Sequence, residues 1–402
     1  TGSVTEDGVL TASGSLSVND DDTDESAFAE VATADLSGSY GTWSFDSSSG
    51  AWSYLLANAS TAVQELSEGE TVTDTLTVES VDGSASEIIT VTITGAGDSA
   101  FISGDNTGSV TEDGGEGEFT SGSLSVSDDD TGEAFFAQVS ASALNGSYGT
   151  WNFDSSSGAW SYLLANASTA VQELSEGETV TDTLTVESVD GSASEIITVT
   201  ITGRNDSPVA TFDKDQFATE DGDLISGQLT STDVDSGATA SYALADAAPI
   251  AGLSIDADGS WFFDPSNEAY QSLAAGETQI VTVNYSVTDD QDASDAGSFT
   301  ITVSGSNNAA VITGTSTGSV TEDGVLLTAS GSLSVNDDDT DESAFAEVAT
   351  ADLSGSYGTW SFDSSSGAWS YLLANASTAV QELSEGETVT DTLTVESVDG
   401  SA

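Results

Sequence analysis

The chain repeats itself, and this feature limits its possible folds more than any other. The string TGSVTEDG begins at Thr1, at Thr107 and at Thr317, so the two spacings are 107 − 1 = 106 and 317 − 107 = 210 residues. The second spacing leaves room for two units, and a shortened copy, ATEDG, stands at 218–222. A fixed internal period indicates an array of similar structural units. The 402 residues therefore divide into four units of roughly a hundred residues, which is enough for one packed core.

We call these units repeats one to four and predict one domain in each, with boundaries at 1–98, 99–206, 207–308 and 309–402. Residues 45–95 and 153–203 are identical over 51 positions. Repeat three is diverged but keeps the landmarks, since DADGSWFF (256–263) stands where DSSSGAWSY (46–54) stands in repeat one. Repeat four stops at Ala402 and lacks the segment SEIITVTITG that closes repeat one at 86–95. Two interpretations stay open: the chain is a window of a longer array, which we favour, or a neighbouring chain donates the missing strand.

Apolar residues alternate with Ser and Thr through short segments of each repeat. In repeat one the alternating sets are Leu16 and Val18; Trp43 and Phe45; Trp52, Tyr54 and Leu56; Val72, Leu76 and Val78; and Ile89, Val91 and Ile93. A period of two places the apolar set on one face of a strand, and turn signals about every eight to twelve residues are typical of a sandwich. We predict an all-β fold of tandem Ig-like or cadherin-like β-sandwiches in an elongated array. Residues 60–66 are predicted to form a helical turn, and the Trp side chains are predicted to pack in the core rather than stack on sugars.

The charge balance excludes several classes of function. The chain has 69 Asp and Glu residues against 2 Lys and Arg, a net charge of −67, and no His, Cys or Met. Binding to nucleic acid or to anionic membrane surfaces needs basic residues, so neither is expected. Zinc, haem and iron–sulfur sites lose their usual ligands, and no apolar run reaches the ~18 residues of a membrane span. The 7 Trp, 9 Tyr and 14 Phe argue against a disordered acidic chain, because such chains are poor in aromatic residues.

No enzyme is expected. Gly314, Ser316 and Gly318 spell the GxSxG nucleophile elbow, but that motif needs a His base and the chain has no His. Asp130-Thr-Gly spells an aspartic-protease triplet, yet that chemistry needs a second Asp within ~3 Å, and its place in an acidic loop favours an ion ligand. Near-identical repeats also suit a scaffold better than a single catalytic site.

The acidic residues cluster at the same places in every repeat: near its start, after an early strand, before its last strand and in the linker that follows. The candidate metal ligands are Glu6, Asp7, Asp20, Asp21, Asp22, Asp24, Glu79, Asp82 and Asp98 in repeat one; Glu112, Asp113, Asp128, Asp129, Asp130, Glu187, Asp190, Asn205 and Asp206 in repeat two; Glu220, Asp221, Asp233, Asp235, Asp289, Asp290, Asp292, Asn307 and Asn308 in repeat three; and Glu322, Asp323, Asp337, Asp338, Asp339, Asp341, Glu396 and Asp399 in repeat four.

Such clusters require neutralisation. Two unit charges 4 Å apart repel by ~4 kcal/mol at an effective dielectric constant of 20, and several such pairs would exceed a typical domain stability of roughly 5–15 kcal/mol. Calcium takes six to eight oxygen ligands in irregular geometry, so Ca²⁺ is the predicted cofactor. We expect the three clusters of a repeat to meet near the joint between repeats. The alternative is a solvated acidic surface adapted to high salt, which explains the near-absence of Lys but not the fixed positions of the clusters.

The landmarks TEDG, GxYGTW, DxxGxWxY, AVQxLxxGET and TVTITGxND together resemble the VCBS repeat, a bacterial Ig-like or cadherin-like module of large secreted RTX-type adhesins. The resemblance covers essentially the whole chain. It implies a calcium-stiffened segment of a secreted cell-surface adhesin or biofilm matrix protein, exported by type I secretion. The NDxP linker of the family is intact only at Asn205 to Pro208, and the nonapeptide calcium repeat of the same secretion class is absent. Linker geometry and ion occupancy are therefore expected to differ between joints.

We thus expect a non-enzymatic extracellular extender whose partners are the neighbouring repeats of the same chain. One alternative is a self-assembling extracellular filament that uses strand donation or calcium-bridged contacts. Another is that diverged repeat three is itself a receptor-binding or carbohydrate-binding head. The adhesion target is not encoded in any recognisable motif.

Overall fold

The computed structural model describes residues 1–115 and 118–402 in full, and residues 116–117 by their backbone alone. The chain forms two compact units, residues 1–205 and 206–402, which are described separately. The first contains repeats one and two, and the second contains repeats three and four. Within the described residues, no helix is long and apolar enough to cross a lipid bilayer.

Repeat one folds into two facing three-stranded sheets, as the period-two pattern predicts. One sheet has the strand order β1-β6-β5 and the other β2-β4-β3. The strand β1 runs parallel to β6, and the remaining pairs are antiparallel. The elements are β1 (Gly2–Thr5), β2 (Thr11–Ser15), β3 (Gly41–Asp46), β4 (Ala51–Leu56), α1 (Thr61–Gln64), β5 (Thr71–Glu79) and β6 (Ser86–Thr94).

The inner faces of these two sheets form an apolar core. Trp43 and Trp52 are only 4% and 6% exposed, which confirms that they pack inside the sandwich. The ring of Trp43 meets that of Tyr54 edge-on, with centroids 4.7 Å apart, a favourable arrangement for aromatic pairs. Across the core, Leu76 of β5 and Val91 of β6 are also buried. The helical turn predicted at 60–66 is present as α1 and contributes buried Val63.

Repeat two has the same core plus one added strand. Its sheets have the orders β7-β9-β11-β10 and β8-β13-β12, and β8 runs parallel to β13. Besides a 3₁₀ turn at Gly115–Glu118, the elements are β7 (Phe101–Gly104), β8 (Thr107–Thr111), β9 (Phe119–Ser127), β10 (Gly149–Phe153), β11 (Ala159–Leu164), α2 (Thr169–Gln172), β12 (Thr179–Glu187) and β13 (Ser194–Thr202).

The added strand explains one difference from the sequence prediction. Leu16 and Val18 of repeat one are predicted to lie in a strand, but β2 ends at Ser15. In repeat two the corresponding stretch belongs to β9, because Val126 pairs there with Ile102 of β7. In repeat one Leu16 N donates to Gly50 O at 2.9 Å, but no strand pairs with residues 16–18 among the described residues.

Repeat three keeps the two-sheet plan with longer closing strands. Its main sheets have the orders β15-β22-β21-β18 and β16-β20-β19, and β14 pairs with β17. The strand β15 is parallel to β22. The elements are β14 (Val209–Ala210), β15 (Gln216–Thr219), β16 (Ile225–Gln228), β17 (Ser231–Thr232), β18 (Ser241–Leu244), β19 (Leu253–Ile255), β20 (Ser260–Phe263), β21 (Thr278–Thr288) and β22 (Ser294–Ser304).

Repeat four forms one sheet, in the order β23-β24-β26-β25. Residues 388–396 have the sequence of β5, TVTDTLTVE, but form no strand. A cavity of about 820 Å³ lies beside them and is lined by Val320, Trp369 and Tyr371, among others. In repeats one to three the last strand occupies this position; strand donation stays a prediction. The elements are β23 (Val311–Gly314), β24 (Thr328–Asn336), β25 (Gly358–Asp363), β26 (Ala368–Leu373) and α3 (Thr378–Gln381).

The GxYGTW landmark has a structural reason in a buried carboxylate. Asp74 is only 4% exposed and accepts hydrogen bonds from Ser39 N (2.9 Å), Tyr40 N (3.0 Å) and the Tyr54 hydroxyl (2.6 Å). A Cβ added at Gly38 would collide with the carboxylate of Asp74. The loop can wrap Asp74 only because that position has no side chain. Repeats two and four build the same cradle around Asp182 and Asp391.

Candidate metal centres

The acidic loop after β9 is folded by its own carboxylates. Asp130 N donates to Asp128 Oδ1 at 2.9 Å, which closes a tight turn and brings the two side chains to the same side. Carboxylate oxygens of Asp128, Asp130 and Glu133 lie within 4.8 Å of one another. The linker that precedes repeat two joins this cluster, because Asp98 N donates to Asp130 Oδ2 at 2.8 Å.

The oxygens left over in this cluster have no protein partner. Asp98 Oδ2, Asp128 Oδ2 and Asp130 Oδ1 are buried and accept no hydrogen bond, and Asp130 is only 2% exposed. A buried anionic oxygen without a partner costs several kcal/mol. Three of them in one place point to a cation that supplies the missing interactions.

Repeat one contributes a further carboxylate to the same joint. Glu6 is 1% exposed and accepts hydrogen bonds from Gln64 Nε2 (2.6 Å) and Ala96 N (3.2 Å). Burial raises the pKa of Glu6 above its ordinary 4.5, and the nearby charges of Asp98 and Asp130 raise it further. Burial, followed by the charge of Asp130, likewise raises the pKa of Asp98. Glu6 thus belongs to the joint between repeats one and two, which we call joint A.

Repeats three and four form an equivalent joint, which we call joint B. Asn308 N donates to Asp339 Oδ2 at 2.8 Å and Asp339 N donates to Asp337 Oδ1 at 2.9 Å. Carboxylate oxygens of Asp337, Asp339 and Glu342 lie within 4.8 Å of one another. The buried oxygens without a protein partner are Glu220 Oε2, Asp337 Oδ2, Asp339 Oδ1, Glu342 Oε2 and Asp399 Oδ1.

The acidic loops of repeats one and three have the same local geometry. In repeat one, carboxylate oxygens of Asp20, Glu25 and Asp82 lie within 4.8 Å of one another. In repeat three, Asp206 N donates to Asp235 Oδ2 at 2.8 Å and Asp235 N to Asp233 Oδ1 at 3.0 Å. Asp235 is 6% exposed, and its Oδ1 has no protein partner.

The predicted residues therefore fall into two sets. The structure places the following residues in the acidic clusters or in direct contact with them: Glu6, Asp20, Asp22, Asp82, Asp98, Asp128, Asp130, Asp206, Glu220, Asp233, Asp235, Asn307, Asn308, Asp337, Asp339 and Asp399. Of these, Asp22, Asp82 and Asn307 are exposed. Glu112 and Asp289 are also buried. The following residues are exposed or only partly buried: Asp7, Asp21, Asp24, Glu79, Asp113, Asp129, Glu187, Asp190, Asn205, Asp221, Asp290, Asp292, Glu322, Asp323, Asp338, Asp341 and Glu396.

The expectation that the clusters of one repeat share one pole is wrong. Because β1 runs parallel to β6, Glu6 follows the end of β1 beside Thr94, at the end of β6. Asp82 precedes the start of β6, and the nine residues of that strand span roughly 30 Å. Each joint therefore combines the start motif and linker of one repeat with the acidic loop of the next.

Sequence reasoning also missed three ligand candidates, Glu25, Glu133 and Glu342. Each completes an Asp-x-Asp-x-x-Glu spacing, as in Asp128, Asp130 and Glu133. That recurring spacing is the signal that identifies them. Burial, followed by the charge of the adjacent Asp130, raises the pKa of Glu133, consistent with a place inside the cluster.

Residues 205–302 match a family model described as Bacterial Ig domain, in agreement with the β-sandwich seen for repeat three. No curated protein sequence is significantly similar to the chain. Among solved structures, cadherin domains 1–4 of protocadherin gamma B7 are 18% identical, with a TM-score of 0.41 over 84% of this chain and 82% of that chain. The EC3–6 cis-dimer structure of protocadherin gamma B7 is 16% identical, with a TM-score of 0.43 over 98% of this chain and 92% of that chain. The VCBS assignment stays a prediction.

Proposed function

We propose that the chain is a non-enzymatic structural segment of an extracellular bacterial protein, in which Ca²⁺ fixes repeat one against repeat two and repeat three against repeat four. One observation supports this most directly: joints A and B each contain buried carboxylate oxygens that no protein group satisfies. Joints A and B share this feature although repeats one and three differ in sequence. The feature therefore follows from the way the linker and the acidic loop meet, and not from one local sequence.

Calcium fits these donor sets better than other ions. The ligands at joint A are carboxylates, from Glu6, Asp98, Asp128, Asp130 and Glu133, and they come from two repeats and a linker. Such a set is hard, oxygen-only and irregular, which suits Ca²⁺ with its six to eight ligands. Magnesium demands a near-ideal octahedron and keeps several waters.

The role in a cell-surface adhesin or biofilm matrix protein follows from this chemistry together with the VCBS resemblance. A joint whose ligands come from both neighbours can bind its ion fully only in the docked arrangement. Ion binding therefore restricts the relative motion of the two repeats. An array of such joints places a distant binding head at a defined distance from its anchor.

The test is thermal unfolding of the whole chain in excess calcium, in chelator, and in chelator with NaCl at matched ionic strength. A ligand that binds only the folded state at 100 times its Kd stabilises by about 2.7 kcal/mol per site, or roughly 10 °C or more for a hundred-residue domain. We expect calcium alone to produce this shift. If NaCl raises the melting temperature equally, the clusters are a screened acidic surface and the proposal is wrong.

A further inference from the structure

We propose that the two joints depend on calcium to different extents: joint B stays docked without calcium, and joint A docks only when calcium is bound. This inference rests on the proposed function for the identity of the ion. It assigns the difference to three positions at which repeats one and three carry different residues.

The first position is the linker residue that reaches the acidic loop of the next repeat. Asp98 at joint A and Asn308 at joint B occupy the same place, because each donates its backbone N–H to Oδ2 of the loop Asp at 2.8 Å. The side chain of Asp98 adds a charge to the cluster, and its Oδ2 is buried without a partner. Asn308 adds no charge, and its Nδ2 donates to Gln271 O at 3.3 Å.

The other two positions lie in the helical-turn loop that faces the next repeat. Repeat one has Glu65 and Glu68 where repeat three has Ser272 and Ala275. Glu68 lies beside the linker, since a Cβ added at Gly97 would be 3.5 Å from its Cβ. Joint A therefore carries three carboxylates that joint B lacks, whereas joint B carries one, Asp341, where joint A has Gly132. Without a cation, the negative charges of these carboxylates repel one another and oppose docking of the two repeats.

Direct hydrogen bonds favour joint B as well. Thr340 donates to Ser272 O through both its N–H (3.2 Å) and its hydroxyl (2.7 Å). At joint A the corresponding contacts are Thr131 N to Glu65 O at 3.2 Å and Ser67 Oγ to Thr131 O at 3.5 Å. The bond from the Thr340 hydroxyl at joint B is thus shorter than its counterpart at joint A, and this favours docking of joint B without an ion, although five carboxylate oxygens are buried without a protein partner at joint B against three at joint A.

The experiment uses the full chain with pairs of spin labels, which the absence of native Cys makes straightforward. One sample carries Ser44→Cys and Asn152→Cys, on exposed strand positions of repeats one and two. The other carries Ser254→Cys and Ser361→Cys, on exposed strand positions of repeats three and four. Distance distributions are measured by double electron–electron resonance across a calcium titration that starts in chelator.

We expect a broad distribution at joint A in chelator that narrows severalfold as calcium is added. At joint B we expect a distribution that is narrow throughout. Equal responses of the two distance distributions to calcium, or a broad distance distribution at joint B in chelator, would overturn this inference and leave the proposed function standing. No response to calcium at joint A would instead contradict the proposed function.

A swap variant tests the residue assignment. Asp98→Asn, Glu65→Ser and Glu68→Ala together give joint A the residues of joint B, and we expect its distribution to become narrow in chelator. Asp35→Asn, at an exposed position of repeat one, is the control for the loss of one surface charge and should leave the distance distribution broad. Circular dichroism verifies that each variant is folded. If the swap variant is folded and its distance distribution is still broad in chelator, these three residues do not determine the difference in calcium dependence between the joints.

Discussion

The backbone N–H of Asp98 donates to Oδ2 of Asp130 at 2.8 Å, across the joint between repeats one and two. This bond uses one oxygen of the carboxylate and directs the other, Oδ1, into the buried cluster where it has no protein partner. The pairs Asp206–Asp235 and Asn308–Asp339 show the same bond at the same length. The linker therefore fixes the orientation of the loop carboxylate that the proposed metal site requires.

This geometry predicts that Asp130→Asn changes stability in opposite directions with and without calcium. The Asn side-chain oxygen can still accept the Asp98 bond, but one charge is lost. In chelator the loss relieves repulsion, and we expect a stabilisation of about 1 kcal/mol. In calcium the variant loses a ligand, and we expect the calcium affinity of joint A to fall about tenfold or more, since even outer-shell partners have effects of that size.

Calorimetry in both conditions measures the first effect, and isothermal titration with calcium measures the second. Asp339→Asn should behave in the same way at joint B. A destabilisation in chelator as well as in calcium would mean that the Asp130 carboxylate is an ordinary hydrogen-bond acceptor.

The raised pKa values at joint A predict a pH dependence that calcium abolishes. The folded-state pKa of Glu6 lies above its ordinary 4.5 and that of Asp98 above its ordinary 3.8. Between these ordinary and raised values the folded state binds more protons than the unfolded state. The free energy of unfolding in chelator should therefore increase as the pH falls from neutral towards about 4.5.

Groups with lowered pKa values act in the opposite direction at lower pH. Hydrogen bonds from Ser80 and Ser84 lower the pKa of Asp82 to about 2, so its contribution to stability is lost only as the pH falls below its ordinary 3.8. Thermal unfolding between pH 7 and pH 3 in chelator should thus show a maximum. With calcium bound, the ligands stay ionised and stability should only decrease on acidification. A monotonic decrease in chelator would contradict the prediction.

Asp74 predicts a stability effect that is independent of calcium. Asp74→Ala removes three hydrogen bonds to a buried carboxylate and leaves the Tyr54 hydroxyl without its partner. We expect a loss of about 3 kcal/mol or more, seen in calorimetry as a separate transition at least roughly 10 °C lower. Tyr54→Phe should cost about 1 kcal/mol, and Asp35→Ala should be neutral. A loss that appears only in calcium would contradict the assignment.

Gly41 predicts a second structural effect. A Cβ added there would be 2.5 Å from the ring of Tyr54 and would collide with the carbonyl of Leu55. Gly41→Ala should therefore displace the loop around Asp74 and lower the melting temperature of repeat one. Gly83→Ala is a useful comparison, because its Cβ would meet nothing within 4 Å although its φ of 74° makes the substitution mildly strained. Equal effects of the two substitutions, measured by calorimetry, would exclude a role for the collision.

The residues that alternate in the sequence predict much of this fold. Trp52 and Tyr54 lie two apart and face the same core, because a strand turns successive side chains to opposite faces. The alternation identifies faces but not neighbours. It does not reveal that β1 pairs in parallel with β6, and for that reason it placed Glu6 at the wrong pole of its repeat.

The candidate site is predictable in composition but not in detail. The clustered Asp residues at 128 and 130 are visible in the sequence, and the structure shows them buried together. Glu133 was missed because a Glu three residues after an Asp is unremarkable unless the same spacing is compared between repeats. The roles of Asp98 and Asn308 depend on a contact across a joint, which no local pattern encodes.

The parallel pairing of first and last strands has a mechanical consequence. Gly2 pairs with Val91 and Thr5 with Thr94, so the start of β1 and the end of β6 lie at opposite ends of this ladder. Tension applied along the chain therefore slides these two strands past each other and loads every rung of the ladder simultaneously. Repeats two and three contain the same parallel pairing, β8 with β13 and β15 with β22, although one further strand precedes β8 and β15. Under such a pull each of these ladders would thus resist as a whole, and not with one hydrogen bond after another.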